Sequence, residues 1–336
     1  MSVASAPSAP AAPAGETRRR DQWLRDLFRD RPIIPLLALL ALLVILSEVA
    51  RPGIVNLNWA GVMLRTAVPL AVLAGCQVLT MLTGGIDLSV GSVASMSGFL
   101  VATLVGDFGL WVALFTALTV AAIAGALTGI GVGVFRVHPL IMTLGMGLVV
   151  FGFANAWQLI RVQTGGGTPE ELRFIGSGSL WGIVPHSLLV FVPLAALILV
   201  GLRRTGYGRL LYAIGDNPIA ARLSGARSWQ VLIVLYAISA AMAAVAGFLL
   251  SGLTNVASVT LADSYVLPSV AAAVIGGTSI MGGRGGYGGA IVGAMILAVI
   301  QSLLSSLGYP EAIRQVLFGS IIVAVAAAYT RVTFES

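Results

Sequence analysis

The sequence lacks lysine, and all nineteen of its basic residues are arginine. A phosphate-binding loop of the form G-x-x-x-x-G-K-[ST] needs its lysine to reach the nucleotide phosphates. The sequence therefore excludes an ordinary ATPase site within this chain. If the protein uses ATP, a partner must hydrolyse it.

Charged residues of either sign are also scarce. They make up 10% of the 336 residues, whereas about a quarter of the residues in a soluble domain are charged. Hydrophobic residues make up 58% of the chain, and its mean hydropathy is +0.98. Water is a poor solvent for such a chain, and helices satisfy their own backbone hydrogen bonds in lipid. The composition therefore predicts an all-α integral membrane protein.

Cysteine and histidine are nearly absent, which bears on disulfides, catalysis and metal binding. Cys76 is the single cysteine, so an intrachain disulfide is excluded, and we interpret it as a small packed thiol. His138 and His186 are the two histidines, and neither has a ligand partner at metal spacing. We therefore predict no catalytic residue, no metal and no cofactor.

The first 31 residues are rich in alanine, proline and serine, and then in arginine and aspartate. They hold too little apolar surface to fold alone, so 1–31 is predicted to be a disordered cytoplasmic tail. The apolar run at 32–50 is long for the core of a signal peptide and has no small-x-small cleavage site behind it. It is therefore predicted to be the first span of a transmembrane domain over 32–331.

Ten apolar segments indicate about ten transmembrane helices. They are 32–50, 61–83, 91–106, 110–134, 139–160, 180–202, 231–253, 265–281, 287–307 and 311–330. With the N-terminus inside, fourteen of the nineteen arginines fall on the cytoplasmic side, as the positive-inside rule requires. This distribution predicts that both termini are cytoplasmic. It also explains the pI of about 10.1 without a nucleic-acid partner.

The longest predicted cytoplasmic loop, 203–229, carries a short helix among arginines. Asp216 or Asn217 can cap this helix, Pro218 suits its first position, and Gly225 can end it about two turns later. Such a helix either docks on a partner protein or rests on anionic lipid headgroups. Composition alone leaves both interpretations open.

The acidic residues fall almost entirely in tails, loops and span ends, which argues against an ion-coupled carrier with a carboxylate at mid-membrane. Asp87 needs separate discussion, because it lies in the glycine-flanked stretch L-T-G-G-I-D-L-S-V-G-S at 82–92. It either orders a re-entrant turn near the pathway together with Ser89, or caps the third helix. The preference of aspartate for helix N-termini favours the cap.

A third unusual stretch is the glycine-rich G-G-T-S-I-M-G-G-R-G-G-Y-G-G at 276–289. It has no lysine and no flanking strand, so we interpret it as a turn between membrane helices and not as a nucleotide loop. It occurs in one chain with 82–92 and with G-R-L-L-Y-A-I-G-D-N-P-I-A-A-R-L-S-G at 208–225. This combination resembles the permease subunits of bacterial ribose-type and xylose-type sugar ABC importers, whose wider group includes branched-chain amino-acid permeases.

The resemblance extends from about residue 30 onward and implies a type II ABC importer-like permease in the bacterial inner membrane. It implies that 208–225 docks on a separate cytoplasmic ATPase subunit and that a second permease subunit completes the pathway. A periplasmic or extracellular solute-binding protein is expected to discriminate between solutes. The residues assigned to docking are Gly215, Asp216, Asn217, Pro218, Ala220, Ala221, Arg222, Leu223, Ser224 and Gly225. The residues assigned to a signature near the pathway are Gly84, Gly85, Ile86, Asp87, Leu88 and Ser89.

The leading hypothesis is a non-enzymatic permease that imports a small polar solute, most consistent with a monosaccharide. The alternative within this class is a branched-chain amino-acid permease. Outside it, the alternatives are an ion-coupled secondary carrier and a passive channel, neither of which needs a cytoplasmic docking helix. We expect Ala221 to lie on the closely packed face of that helix, where the partner binds.

Overall fold

The computed structural model describes residues 33–161 and 168–310, together with residues 312, 313, 315–317, 319, 320 and 323. The predicted tail at 1–31 lies outside the described residues, as does most of the predicted span at 311–330. Helices dominate the described part of the chain, and its two strands have two residues each. The predicted all-α class is confirmed.

Eight helices among the described residues are long and apolar enough to cross a bilayer. They are α1 Ile33–Ala50, α2 Leu57–Leu82, α3 Val90–Phe108, α4 Leu110–Gly133, α5 Pro139–Arg161, α7 Ser187–Arg204, α10 Ser228–Thr254 and α12 Tyr287–Ser306. Their ends agree with the predicted spans to within four residues, except that α7 begins at Ser187 instead of 180. The described residues thus account for eight of the ten predicted spans as full-length helices.

Shorter elements connect the long helices. They are α6 Glu170–Ser177, β1 Ser179–Leu180, β2 Val184–Pro185, α8 Gly206–Asp216, α9 Pro218–Leu223, a 3-10 turn Asp263–Tyr265 and α11 Val266–Ile275. The antiparallel pair of β1 and β2 occupies the first residues of the span predicted at 180–202. The span predicted at 265–281 is the ten-residue helix α11, which ends where Gly277 adopts a φ of +88°.

The bundle has two distinct ends. We call the end that carries the 203–229 segment the arginine-rich end, and it also holds the turns at 134–138 and 276–286. The opposite end holds the turn at 51–56 and the segment 168–186, and α7 joins the two ends. At the opposite end, Arg161 and Asp107 form an ion pair between α5 and α3.

The second half of α2 forms the centre of the bundle, because every residue from Ala67 to Leu82 is buried. Helix α10 packs against α2, α3 and α4. A Cβ on Gly125 or Gly129 of α4 would collide with the α10 backbone at Tyr236 and Ile233. Small residues at this spacing allow the close helix contacts that stabilise membrane bundles.

Two helices begin inside the bundle instead of at its ends. After Leu82 the chain turns at Gly84, where φ is +79°, and returns along α2 until α3 begins. Residues 255–262 likewise return from the end of α10, and the Ala262 amide donates to Ser95 Oγ on α3 at 2.8 Å. Helices α3 and α11 therefore start beside irregular backbone that the surrounding helices must satisfy.

Candidate functional site

The first candidate site is the short helix α9 at the arginine-rich end. Asn217 caps it, because its side-chain oxygen accepts hydrogen bonds from the amides of Ile219 at 3.0 Å and Ala220 at 2.9 Å. Pro218 occupies the first turn, and Gly225 follows the helix with a φ of +89°. Asp216 is the last residue of α8 and supplies no cap. Of the two caps that the sequence allowed, the structure uses Asn217.

The side chains of α9 separate into an inner and an outer set. Ala221 is 5% exposed and packs against the protein's own chain. Ile219 is 64% exposed, Leu223 is 84% exposed, and Arg222 is exposed beside them. The expectation that Ala221 faces a partner is therefore not supported by this geometry, because a side chain packed on its own bundle is not available for docking. The outer face is an apolar pair next to an arginine.

The second candidate site is the returning stretch 83–89, at whose centre Asp87 is 2% exposed. One carboxylate oxygen accepts hydrogen bonds from the Ser89 amide at 3.0 Å and the Ser89 hydroxyl at 2.6 Å. The other accepts from the Ser239 hydroxyl of α10 at 3.4 Å. Ser89, not Asp87, directly precedes α3, and its side chain makes no capping bond. Asp87 thus orders the turn and holds the residue from which α3 begins.

Two further side chains hold the backbone on either side of Asp87. The Gln77 amide donates to the Asp87 carbonyl at 2.8 Å and also lies 3.3 Å from Ser269 Oγ of α11. The Thr143 hydroxyl of α5 donates to the Ile86 carbonyl at 3.1 Å. With Ser239, these contacts tie the stretch directly to α2, α5 and α10, and Gln77 extends the network to Ser269 of α11. This is how irregular backbone is satisfied inside a membrane protein.

The sequence interpretation missed Gln77, Thr143, Ser239 and Ser269. Each is a single polar residue within an apolar run, and each is fully buried. Such isolated polar residues are the signal that would have found them, because a polar side chain in a membrane helix needs a partner. The Tyr236 hydroxyl is also buried, and it has no hydrogen-bond partner among the described residues.

The third candidate site is the glycine-rich stretch at 276–289, which brings the first two together. The Gly283 amide donates to the Leu82 carbonyl at 3.0 Å, and the Tyr212 hydroxyl of α8 donates to the Gly285 carbonyl at 2.9 Å. The three stretches singled out in the sequence, 82–92, 208–225 and 276–289, therefore meet at the arginine-rich end. Nothing in their spacing along the chain predicted this meeting.

His186 and Cys76 are both buried. No three histidine, cysteine, aspartate or glutamate side chains in the described ranges lie close enough together to hold a metal. The His186 ring packs on the Phe174 ring at 4.2 Å, and its Nδ1 lies 2.9 Å from the Phe174 carbonyl oxygen. Cys76 is buried, with its sulfur 3.2 Å from the Ser239 carbonyl oxygen. Both residues have packing roles here.

Comparison with known proteins gives a consistent set of relatives. A family model described as branched-chain amino acid transport system / permease component matches residues 60–326. The chain is 34% identical to the ribose import permease protein of Escherichia coli K12 over 277 residues, which cover 81% of this chain and 85% of that protein. It is 31% identical to the fructose import permease protein of Rhizobium meliloti over 301 residues, covering 88% and 84%.

A third relative is named for a different solute. The autoinducer 2 import system permease protein of Escherichia coli O9:H4 is 31% identical over 312 residues, covering 90% of this chain and 87% of that protein. No solved structure matches the chain. The relatives are thus import permeases that align with almost the whole chain.

Proposed function

Because the chain belongs to the family of branched-chain amino acid transport system permease components, we propose that it forms the translocation pathway of an ATP-driven importer for a monosaccharide. The chain is a multi-pass transport subunit of the bacterial inner membrane. The observation that carries the choice of a sugar is the alignment of more than four-fifths of the chain with permeases named for ribose and fructose import. The family description names branched-chain amino acids, which remain the second candidate.

The energy for import comes from a separate ATPase subunit that docks on α9. The chain has no lysine for a phosphate-binding loop, so ATP must bind elsewhere. Helix α9 has six residues, too few to be stable alone, and it is fixed by the Asn217 cap and the buried Ala221. This arrangement leaves Ile219 and Leu223 free to enter a surface on the partner.

The chemistry of α9 specifies the partner surface. Ile219 and Leu223 need an apolar groove, and Arg222 needs an acidic residue or carbonyl oxygens at its rim. The competing occupant is the headgroup layer of an anionic membrane, which would attract the arginines equally well. A protein groove is favoured because α9 is attached by its inner face to α8 and α10, whose packing holds its outer face in one orientation.

The arginine-rich end faces the cytoplasm in this proposal, and both termini lie there too. Cysteine labelling tests it, with Arg204→Cys at the arginine-rich end, Glu171→Cys at the opposite end and Cys76→Ala as the background. Both positions are exposed, and α7 separates them. An impermeant maleimide applied to intact cells is expected to label Glu171→Cys alone. Labelling of Arg204→Cys alone would reverse the orientation.

Two further partners complete the importer that we propose. A second permease subunit lies beside this chain, so that the solute passes between two bundles. A solute-binding protein delivers the sugar at the opposite end, where segment 168–186 and the turn at 51–56 form the exposed surface. The exposed α9 surfaces of the two permeases then meet two ATPase subunits on the cytoplasmic side.

Uptake by cells that express the complete importer tests the solute. Labelled ribose, fructose and leucine are supplied separately to these cells and to matched cells that lack only this chain. We expect chain-dependent accumulation of ribose or fructose and none of leucine. Accumulation of leucine without either sugar would replace the proposal with the branched-chain amino-acid alternative.

A further inference from the structure

The contact between the three stretches at the arginine-rich end is made by main-chain atoms. We call Leu82, Gly215, Gly282 and Gly283 the glycine junction. A Cβ on Gly215 would collide with the Leu82 carbonyl oxygen and crowd the Gly283 amide. A Cβ on Gly282, whose φ is +94°, would lie 3.0 Å from both the Gly84 amide and the Gly215 carbonyl oxygen. No side chain therefore separates the three segments.

The residues of the glycine junction belong to three segments, each of which continues into a different part of the proposed importer. Gly215 lies two residues before Asn217, the cap of α9. Leu82 begins the stretch that reaches Asp87, and Gly283 belongs to the loop that follows α11. The junction thus joins the docking helix to the Asp87 stretch and to the loop that follows α11.

A contact of this kind transmits movement efficiently. Long side chains change rotamer and absorb small displacements, whereas main chains in van der Waals contact cannot. The Gly283 to Leu82 hydrogen bond, at 3.0 Å, also prevents the two segments from sliding apart. A displacement of α8 and α9 must therefore move 83–89 and 276–285 with it, or break this contact.

Tyr212 provides a second connection from the same helix. Its hydroxyl donates to the Gly285 carbonyl at 2.9 Å. Burial raises the pKa of Tyr212 above its ordinary value, so the hydroxyl keeps the proton that it donates. Tyr207, one and a half turns earlier on α8, donates to the Val231 carbonyl of α10, also at 2.9 Å. Tyr207 thus holds α8 to α10 without touching the junction.

We propose that Gly215 and Tyr212 are positioning residues that transmit the displacement of α9 by the ATPase subunit to the Asp87 stretch and to α11. The inference rests on the proposed function and names the route by which ATP hydrolysis reaches the pathway. The hydrogen bond that breaks when this displacement is transmitted is the one between Ser239 and Asp87. At 3.4 Å it is the longest hydrogen bond of that carboxylate. Its opening separates 83–89 from α10.

Two matched pairs of variants test this route in the complete importer. Tyr212→Phe removes the hydroxyl at the junction, and Tyr207→Phe removes the equivalent hydroxyl outside it. Gly215→Ala places a Cβ in the junction, and Gly206→Ala places one on the same helix, 3.7 Å from its nearest neighbour, Arg209. For each variant we measure co-purification of the ATPase subunit, ATP hydrolysis, and sugar taken up per ATP hydrolysed.

We expect ATP hydrolysis to become uncoupled from sugar uptake in the variants at the junction. Tyr212→Phe lowers sugar uptake per ATP about three- to tenfold, as the loss of one half-buried hydrogen bond implies, whereas Tyr207→Phe keeps the parent ratio. Gly215→Ala keeps the ATPase subunit bound and abolishes uptake, whereas Gly206→Ala transports normally. A role limited to folding would lower the abundance of the complex but not the ratio of uptake to hydrolysis.

The contrary results separate the two proposals. If the parent complex transports and Tyr212→Phe is as well coupled as Tyr207→Phe, the transmission route is wrong while the importer function stands. If the parent chain neither binds an ATPase subunit nor transports, the proposed function itself is wrong. Tyr212→Phe decides the question even if Gly215→Ala fails to insert, because it removes a single oxygen atom.

Discussion

The docking helix α9 and the stretch 83–89 are both short and irregularly connected, yet they are stabilised in opposite ways. Helix α9 satisfies its amides locally through Asn217 and leaves Ile219 and Leu223 exposed. The stretch 83–89 exposes little and depends on side chains from three other helices. The difference indicates that α9 can meet a surface from outside, whereas 83–89 is held in place by contacts inside the bundle.

Among the changes considered, removal of the Asp87 carboxylate from the buried stretch 83–89 should have the largest effect. Asp87→Ala leaves the Ser89 amide, the Ser89 hydroxyl and the Ser239 hydroxyl without their acceptor. We expect the free energy of unfolding to fall by about 3 kcal/mol, because each buried unsatisfied group costs about 1 to 3 kcal/mol. Thermal unfolding in detergent measures this loss.

Asp87→Asn is the control for that loss. It keeps one carbonyl oxygen as an acceptor, so we expect it to unfold between the parent and Asp87→Ala. If Asp87→Ala unfolds together with the parent, the buried contacts of 83–89 do not stabilise the bundle and the contrast with α9 disappears.

A change on the exposed face of α9 should alter binding of the ATPase subunit and leave the stability of the chain nearly unchanged. Leu223→Asp places a charge on the outer face of α9, and we expect roughly thirtyfold weaker binding of the ATPase subunit, equivalent to about 2 kcal/mol. The unfolding free energy should change by less than about 0.5 kcal/mol, because Leu223 makes few contacts within the chain. Leu223→Met keeps an apolar side chain and should bind normally. Unchanged binding by Leu223→Asp would favour the lipid-surface alternative for α9.

The smallest effect should come from the cap of α9. Asn217→Ala removes the acceptor for the Ile219 and Ala220 amides, which costs about 1 kcal/mol of helix stability. Docking must then also order α9, which opposes binding by this amount, so the affinity for the ATPase subunit should fall about fivefold. Asn217→Ser retains a capping oxygen and should restore most of the affinity. Titration of the purified ATPase subunit measures both variants, and equal affinities would show that docking does not depend on the cap.

The sequence predicted the long helices better than the connections between them. Each span is an apolar run of roughly 20 residues, which is a strong local signal. Helix α8 was not predicted, because Gly206, Gly208 and Gly215 are poor helix formers within an eleven-residue segment. Gly208 and Gly215 are nevertheless used there because other main chains approach them, which only the folded structure reveals.

The candidate site was predictable only in part, for the same physical reason. The cap and first turn of α9 follow from residues 216–218, since capping is a local interaction. The partners of Asp87 do not, because Ser239 lies 152 residues away along the chain. An isolated serine in an apolar run gives no information about which helix it faces. The meeting of 82–92, 208–225 and 276–289 is likewise a property of the tertiary structure.

We propose that a separate ATPase subunit drives import through α9. The most direct test is sugar accumulation in proteoliposomes that contain the permease assembly with or without the ATPase subunit, with ATP and the solute-binding protein supplied. We expect accumulation above equilibrium only when the ATPase subunit and ATP are both present, and we expect it to be lost with Leu223→Asp. Accumulation driven by an ion gradient without the ATPase subunit, or simple equilibration through the permease alone, would contradict it.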